Sequence, residues 1–135
     1  MDAYKILLVD DDPEDRMIMY DGLQELGAAA IVRFAEGGEA AFAVLNDGYS
    51  KGIIPRLVVL DLNIPKMNGT QILRVLKEDP RFKHIPVIIY STSINPLEKE
   101  RCLLLGAHSY IIKPVSFKEG VDTARLFLDL CDTAV

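Results

Sequence analysis

Two apolar segments of this chain end on carboxylates. Residues 57–60 precede Asp61, and residues 5–9 precede Asp10 and Asp11. Short apolar runs with β-branched members are typical of strands buried on both faces of a parallel sheet. Because an ionised carboxylate is costly to bury unless it is paired or holds a metal, we expect Asp61 just past the end of its strand. For a lone aspartate a surface turn is the commoner role, so the other strand ends decide between the two interpretations.

Polar side chains also follow two further apolar segments. Ser91 and Thr92 follow residues 86–90, and Lys113 follows residues 110–112. Because the C-terminal ends of parallel strands meet at one edge, where ligands bind, we expect these side chains beside the acids. Two like unit charges about 4 Å apart repel by about 4 kcal/mol at an effective dielectric constant of about 20. One lysine cannot balance the charge of three carboxylates.

A divalent cation would balance this charge. Hard oxygen ligands with room for water and phosphate suit Mg²⁺ best. A cation, a hydroxyl and a lysine around one carboxylate would stabilise the negative oxygens of a phosphoryl group. The pattern therefore predicts a magnesium-dependent phosphoryl site centred on Asp61.

Around these residues the chain alternates strands with amphipathic helices. The predicted strands are 5–9, 30–34, 57–60, 86–90 and 110–112, and the predicted helices are 13–26, 39–45, 70–77, 96–105 and 117–131. Asp12 before Pro13 is interpreted as the N-cap of the first helix rather than as a metal ligand. Alternation with short connections predicts an α/β fold, with one parallel sheet, helices on both faces and right-handed crossovers.

Composition narrows the class of protein. The 135 residues, half of them hydrophobic, predict one domain spanning 1–135 with a core of about 4–131 and no output domain. A net charge of -5 without a Lys/Arg cluster argues against nucleic acid. We see no signal-peptide pattern and no apolar run of the roughly 18 residues that span a bilayer. Cys102 and Cys131 fall in helical patterns, as expected of buried thiols in a reducing, cytoplasmic compartment.

Several short motifs stand at the predicted strand ends. They are LVDDD at 8–12, LDLNIP at 60–65, Gly69, Ser91 and YIIKP at 110–114. On these motifs the chain resembles the receiver domain of response regulators, the phosphate-accepting module of two-component signalling. Among receivers it is similar to single-domain regulators of the cyanobacterial phytochrome and chemotaxis types. The resemblance implies a doubly wound, flavodoxin-like fold with strand order 2-1-3-4-5.

The resemblance also implies which residues form the acceptor site. Asp61 is expected to receive a phosphoryl group from a sensor histidine kinase or phosphotransfer protein. Mg²⁺ is expected on Asp11, on Asp61 and on the backbone carbonyl of Asn63, with Asp10 acting mainly through water.

Three further residues receive roles by the same resemblance. Ser91 is expected to be the catalytic and switch hydroxyl, Lys113 to pair with the phosphate, and Tyr110 to be the aromatic that turns inward on activation. In such domains the Lys113–Pro114 peptide bond is often cis, which a proline permits.

Two other functions are weighed against this one. A magnesium-dependent phosphohydrolase with an aspartyl-phosphate intermediate shares the chemistry, but it would need Asp-x-Asp-x-Thr/Val after the first strand and a cap domain, and neither is found. A scaffold receiver that has lost phosphorylation is disfavoured by the intact acids, Ser91 and Lys113.

The last two helices and the last strand are expected to form the output surface. A stripe of apolar residues in the last helix should pack on the sheet: Phe117, Val121, Ala124, Leu128 and Cys131. Leu126 and Leu130 then point away, flanked by Phe127, and one helix face cannot hide all of Leu103, Leu104 and Leu105. Exposed apolar residues close together mark interaction surfaces. We expect this face to bind a partner or a second copy of the chain, with the second copy favoured.

Overall fold

Five apolar segments pair side by side as parallel strands. The computed structural model describes residues 4–64 and 66–133. The strands are β1 (Ile6–Val9), β2 (Val32–Ala35), β3 (Leu57–Asp61), β4 (Val87–Ser91) and β5 (Ser109–Ile112). The helices are α1 (Pro13–Glu25), α2 (Gly38–Ser50), α3 (Gly69–Glu78), α4 (Pro96–Leu104) and α5 (Phe117–Thr133), with one 3-10 turn at Ala29–Ile31.

The strand order is β2-β1-β3-β4-β5, which confirms the predicted doubly wound topology. All four neighbouring pairs are parallel, and Val9 of β1 lies opposite both Ala35 and Leu60. Asp61 is the last residue of β3 and lies opposite Tyr90. The strand order reverses beside β1, and in such sheets the ligand crevice lies outside the C-terminal strand ends at that point.

Side chains on the two faces of the sheet form two separate cores. Because successive residues of a strand point to opposite faces, Leu7, Val9 and Leu60 pack under α2, α3 and α4, whereas Leu8 and Val59 pack under α1 and α5. The strands are therefore buried on both faces, as their continuous apolar runs predict. In α4 only Cys102 is buried, whereas α3 buries Gly69, Ile72, Leu73 and Leu76.

Most element boundaries agree with the sequence prediction, with two informative differences. The second strand begins at Val32 rather than residue 30, because residues 29–31 form the 3-10 turn. The helix predicted to end before Asn46 continues to Ser50. Gly48 is not its cap: a Cβ there would meet the Ile53 carbonyl oxygen, so Gly48 allows a close contact, and Gly52 at φ 75° turns the chain.

The helices α1 and α5 approach each other at two glycines. A Cβ on Gly22 would lie 2.5 Å from the Gly120 carbonyl oxygen, so only glycine fits there. This crossing shifts the buried stripe of α5 to Gly120, Ala124, Phe127 and Cys131. The predictions that Phe117 packs on the sheet and that Phe127 flanks the exposed side are therefore wrong. Phe117 is exposed, and Phe127 is fully buried against Tyr90.

Two further features concern the backbone and the helices as a whole. Within the described residues no peptide bond is cis, so the Lys113–Pro114 bond is trans, contrary to what the resemblance suggests. None of the helices in residues 4–64 and 66–133 is long and apolar enough to cross a membrane.

Candidate functional site: an acidic pocket at the C-terminal edge of the sheet

Four polar residues are buried together at the C-terminal edge of the sheet. Asp10 follows β1, Asp61 ends β3, Ser91 ends β4 and Lys113 follows β5, and each is at most 6% exposed. Asp11 is exposed beside them. One carboxylate oxygen from each of Asp10, Asp11 and Asp61 can lie within 4.8 Å of the others. The structure therefore brings together the acids, the hydroxyl and the lysine that the sequence predicts.

Lys113 is the cation at the centre of this group. Its Nζ lies 3.0 Å from Asp10 Oδ2, 3.1 Å from Asp61 Oδ2 and 2.8 Å from Asp15 Oδ2. Burial alone would lower the pKa of the lysine, but the hydrogen bonds and charges of the three carboxylates together raise it above its usual value. Lys113 is thus a permanent ammonium at physiological pH.

Asp15 is the site residue that sequence reasoning missed. An acidic residue in the first turn of a helix is commonly explained by the helix dipole alone, and Asp15 has that position in α1. The pattern offered one usable signal: Asp15 is the third residue after the N-cap Asp12, so the turn carries it back toward the strand end that holds Asp10.

Asp10 is the most deeply buried of the acids. Its Oδ1 accepts the Asp12 N–H at 2.9 Å, and its backbone carbonyl accepts Arg16 Nη1 at 2.8 Å. Burial raises the pKa of Asp10 to about 6, against the lowering effects of the Asp12 N–H and of Lys113. The Asp12 side chain accepts the Glu14 N–H at 2.9 Å, which confirms Asp12 as the N-cap of α1.

The loop after β3 places Asp61 under the start of α3. The Asn63 N–H donates to Asp61 Oδ1 at 3.1 Å. A Cβ on Gly69 would lie 2.6 Å from the Asp61 carbonyl oxygen, which explains the glycine in this motif. Lys66 has a φ of 69°, a conformation that side chains rarely adopt and that holds this loop tightly turned. Pro65 of the same motif lies outside the described residues.

Of the predicted switch residues, Ser91 ends β4 and Tyr110 lies within β5. Ser91 is buried, and its hydroxyl is 3.5 Å from the Ser93 N–H, whereas Thr92 is exposed. Tyr110 is buried, and its hydroxyl donates to the Ser93 carbonyl at 3.2 Å. Tyr110 therefore lies inward here, linked directly to the loop that begins at Ser91.

The donor set suits a hard divalent cation. Asp10, Asp11 and Asp61 offer only oxygen atoms, the ligands that Mg²⁺ prefers, and Asp11 leaves one side open to water. Three carboxylates contact Lys113, and a fourth, that of Asp11, lies beside Asp10 and Asp61. The pocket therefore carries excess negative charge that a cation would offset.

Comparison with known proteins agrees with this geometry. Residues 6–125 match the family model of the response regulator receiver domain. The chain is 33% identical over 110 residues to chemotaxis protein CheY1 of Helicobacter pylori, covering 82% of this chain and 85% of that protein. The phosphorylated cyanobacterial phytochrome response regulator RcpA superposes with a TM-score of 0.84 at 29% identity, over 99% of this chain and 97% of that one.

A second solved structure bears on the metal. The Mn(2+)-bound form of response regulator Rcp1 has a TM-score of 0.78 at 27% identity, over 98% of this chain and 96% of that one. With the acidic pocket, the buried lysine and the strand order 2-1-3-4-5 in place, the family match completes the assignment. The chain belongs to the response-regulator receiver family of two-component signalling.

Proposed function

We propose that this receiver accepts a phosphoryl group on Asp61 from a sensor histidine kinase or phosphotransfer protein, in a Mg²⁺-dependent reaction. The single observation that carries the choice of Asp61 is its combination of contact and access. Asp10 also contacts Lys113, but its side chain is 0% exposed, whereas that of Asp61 is 6% exposed. Asp11 is exposed, but within the described part of the chain it forms no ion pair with Lys113.

We infer the reaction steps from these positions. An Asp61 carboxylate oxygen attacks the phosphorus in line, an O–P bond forms, and the bond from phosphorus to the donor nitrogen breaks. Asp11, Asp61 and the backbone carbonyl of Asn63 would hold Mg²⁺, with Asp10 acting through water. The metal, when bound, supplies positive charge to the phosphoryl oxygens. Lys113 pairs with those oxygens, and the Ser91 hydroxyl donates to them.

Intact-mass measurement with acetyl phosphate and Mg²⁺ tests the acceptor. Wild type should gain one phosphoryl group, and Asp61→Asn should gain none. Asp12→Asn is the matched control because asparagine caps a helix as well as aspartate does, while one nearby charge is removed. An Asp61→Asn protein that still gained a stoichiometric phosphoryl group would disprove the assignment.

Mg²⁺ itself is tested by titration in the absence of phosphodonor. We expect affinity in the sub-millimolar to millimolar range, roughly that of sites that keep several waters. Asp11→Ala should lose most of this binding, and Asp12→Asn should retain it. Equal affinity in wild type and Asp11→Ala would place the metal elsewhere.

We further infer that the face of α4, β5 and α5 receives the signal and pairs with a second copy of the chain. Support comes from exposed apolar side chains, among them Leu97 at 77%, Leu104 at 81% and Val115 at 79%. A groove of about 500 Å³ lies on α4, with Lys99 and Glu100 in its lining. Opposite charges side by side on one patch can pair reciprocally across a two-fold axis.

Tyr110 connects this face to the acceptor. It lies on β5 between the two helices and bonds to Ser93, two residues beyond the Ser91 hydroxyl. A movement of Ser91 toward a phosphoryl group would therefore reach β5 through this hydrogen bond.

Sedimentation with and without the phosphate mimic beryllofluoride tests the surface. Wild type should dimerise when the mimic is bound, and Leu104→Glu should stay monomeric. Val75→Glu on α3 is the control, since Val75 is also exposed, at 42%, but on another helix. Leu126 and Leu130 are the pair predicted from the sequence to face outward. The Leu130 side chain is half-buried against the core under α1 and α5, so only Leu126 can be replaced without disturbing that core. A wild type that is monomeric in both states would leave a different protein as the partner.

Two further parts of this proposal concern the chain as a whole. We propose a cytoplasmic location. The domain acts as a signalling module, and we propose that its only catalysis is its own phosphorylation and dephosphorylation. The phosphohydrolase alternative is not favoured by the family match.

A further inference from the structure

Lys113 contacts a carboxylate, that of Asp15, to which neither acceptor chemistry nor metal binding gives a role. An ammonium has three N–H donors and accepts none. In this structure three carboxylates lie within 3.1 Å of its nitrogen. The shortest distance, 2.8 Å, is to Asp15, which accepts a hydrogen bond from Lys113, whereas Asp10 at 3.0 Å and Asp61 at 3.1 Å are ion-pair partners. A phosphoryl oxygen arriving at Lys113 must therefore displace one of these partners.

The fold keeps Asp15 in place. It lies in the first turn of α1, where the helix dipole favours a carboxylate. That turn is tied to the end of β1 by the hydrogen bond from Arg16 Nη1 to the Asp10 carbonyl oxygen. Farther along, Gly22 packs α1 directly on α5. The carboxylate thus approaches Lys113 from a helix that is anchored at both ends.

Tyr90 marks the same side of the sheet. The centroid of its ring lies 5.7 Å from Lys113 Nζ, and its side chain belongs to the core under α1 and α5. A cation near an aromatic face gains a favourable interaction. Asp15 and Tyr90 together hold the ammonium toward α1, while Asp61 holds it toward the acceptor position.

We propose that Asp15 is a positioning residue, which restrains Lys113 in the unphosphorylated protein and competes with the phosphoryl group for its ammonium. This inference rests on the proposed phosphorylation of Asp61. Transfer from acetyl phosphate forms the Asp61 O–P bond, breaks the bond from phosphorus to the acetyl oxygen and releases acetate. Asp15 takes no part in these bonds. It lowers the rate because one Lys113 donor must leave its carboxylate before it can serve the entering oxygens.

The rate of phosphorylation per unit of acetyl phosphate measures this competition. Asp15→Asn should react about tenfold faster than wild type, the lower end of the scale of one charge-assisted hydrogen bond. Glu14→Gln is the matched control, because it removes the same charge from the same helical turn at an exposed position. It should change the rate less than about twofold, the scale of an exposed charge. Asp15→Glu keeps the negative charge, so its rate of phosphorylation should lie close to that of wild type.

The resonances of the Lys113 ammonium, read by ¹⁵N–¹H NMR without phosphodonor, provide an independent measurement. They should shift and broaden in Asp15→Asn and stay unchanged in Glu14→Gln. Asp15→Ser, which also suits a first helical turn, provides a second variant should the asparagine protein not fold.

The two measurements separate the inference from the proposed function. A wild type that takes no phosphoryl group would refute the acceptor role of Asp61 and, with it, competition for Lys113. The NMR measurement would then still show whether Asp15 contacts the Lys113 ammonium. A phosphorylated wild type whose rate equals or exceeds that of Asp15→Asn would overturn the competition alone.

Discussion

Asp10 is expected to destabilise the metal-free protein at neutral pH. Burial raises its pKa from 3.8 to about 6, although the Asp12 N–H and Lys113 favour the charged form. This difference corresponds to about 3 kcal/mol of folding free energy. Because the folded state binds the proton more tightly, the contribution is fully present below the unfolded pKa and is lost as the pH rises through about 6.

The size of the effect between two working pH values follows from the same pKa values. Lowering the pH from about 7.5 to about 4.5 should return about 2 kcal/mol through this group alone. Asp10→Asn keeps the oxygen that accepts the Asp12 N–H and cannot ionise. In EDTA at about pH 7.5 we expect it to be more stable than wild type by about 1–2 kcal/mol. This gain in folding free energy stays below about 3 kcal/mol because the new amide nitrogen faces the Lys113 ammonium.

Urea unfolding of both proteins in EDTA at the two pH values measures this difference. The advantage of Asp10→Asn should nearly vanish at the lower pH, where Asp10 is itself protonated in the folded wild type. Asp12→Asn, an exposed neighbour that keeps its cap, should behave as wild type throughout. An Asp10→Asn protein that is equally destabilised at both pH values would refute the reasoning, because the Asp10–Lys113 pair would then be net stabilising.

Three further predictions concern the scaffold and the lifetime of the phosphate. Gly22→Ala should lower the free energy of unfolding, measured in urea, by about 1–3 kcal/mol, since the new Cβ meets the Gly120 carbonyl. Gly37→Ser is the control and should leave the free energy of unfolding unchanged, because a Cβ at Gly37 would have no atom within 4 Å. Asn68→Ala, which removes the capping box of α3, should cost about 1 kcal/mol, and Asn68→Asp should restore most of it. Thr92→Ala should shorten the phosphate lifetime, measured by intact mass after the donor is removed, because the stiff β-branched side chain that follows Ser91 would narrow the path of the attacking water. Equal lifetimes in the two proteins would contradict this.

The sequence predicted the parts of the site that depend on topology. Apolar runs ending on Asp10, Asp61, Ser91 and Lys113 are local signals, and a parallel sheet brings their ends to one edge whatever the details of packing. The cap at Asp12 was predictable for the same reason, because it depends on adjacent residues.

The missed features depend on how helices pack on one another. Asp15 reaches Lys113 only because of the position of α1. The N-cap at Asp12 fixes the place of Asp15 in the first turn but not how that turn lies against the sheet. The stripe of α5 was predicted with Phe117 inside and Phe127 outside, and the observed stripe differs because Gly22 lets α1 approach at Gly120. Helix periodicity gives the spacing of a buried stripe, but the neighbouring helix selects its direction.

The backbone contact between Gly22 and Gly120 has a consequence for how the molecule opens. Because α1 and α5 lie in close backbone contact at Gly22 and Gly120, we expect the two helices to open together and their amide hydrogens to exchange together. On the other side of the sheet, α4 is held through Cys102 alone among its residues. Amides of α4 should therefore exchange with deuterium through local fluctuations, while those of α1 and α5 wait for global unfolding. We therefore expect the slowly exchanging helices on one side of the sheet and the fastest-opening helix, α4, on the other.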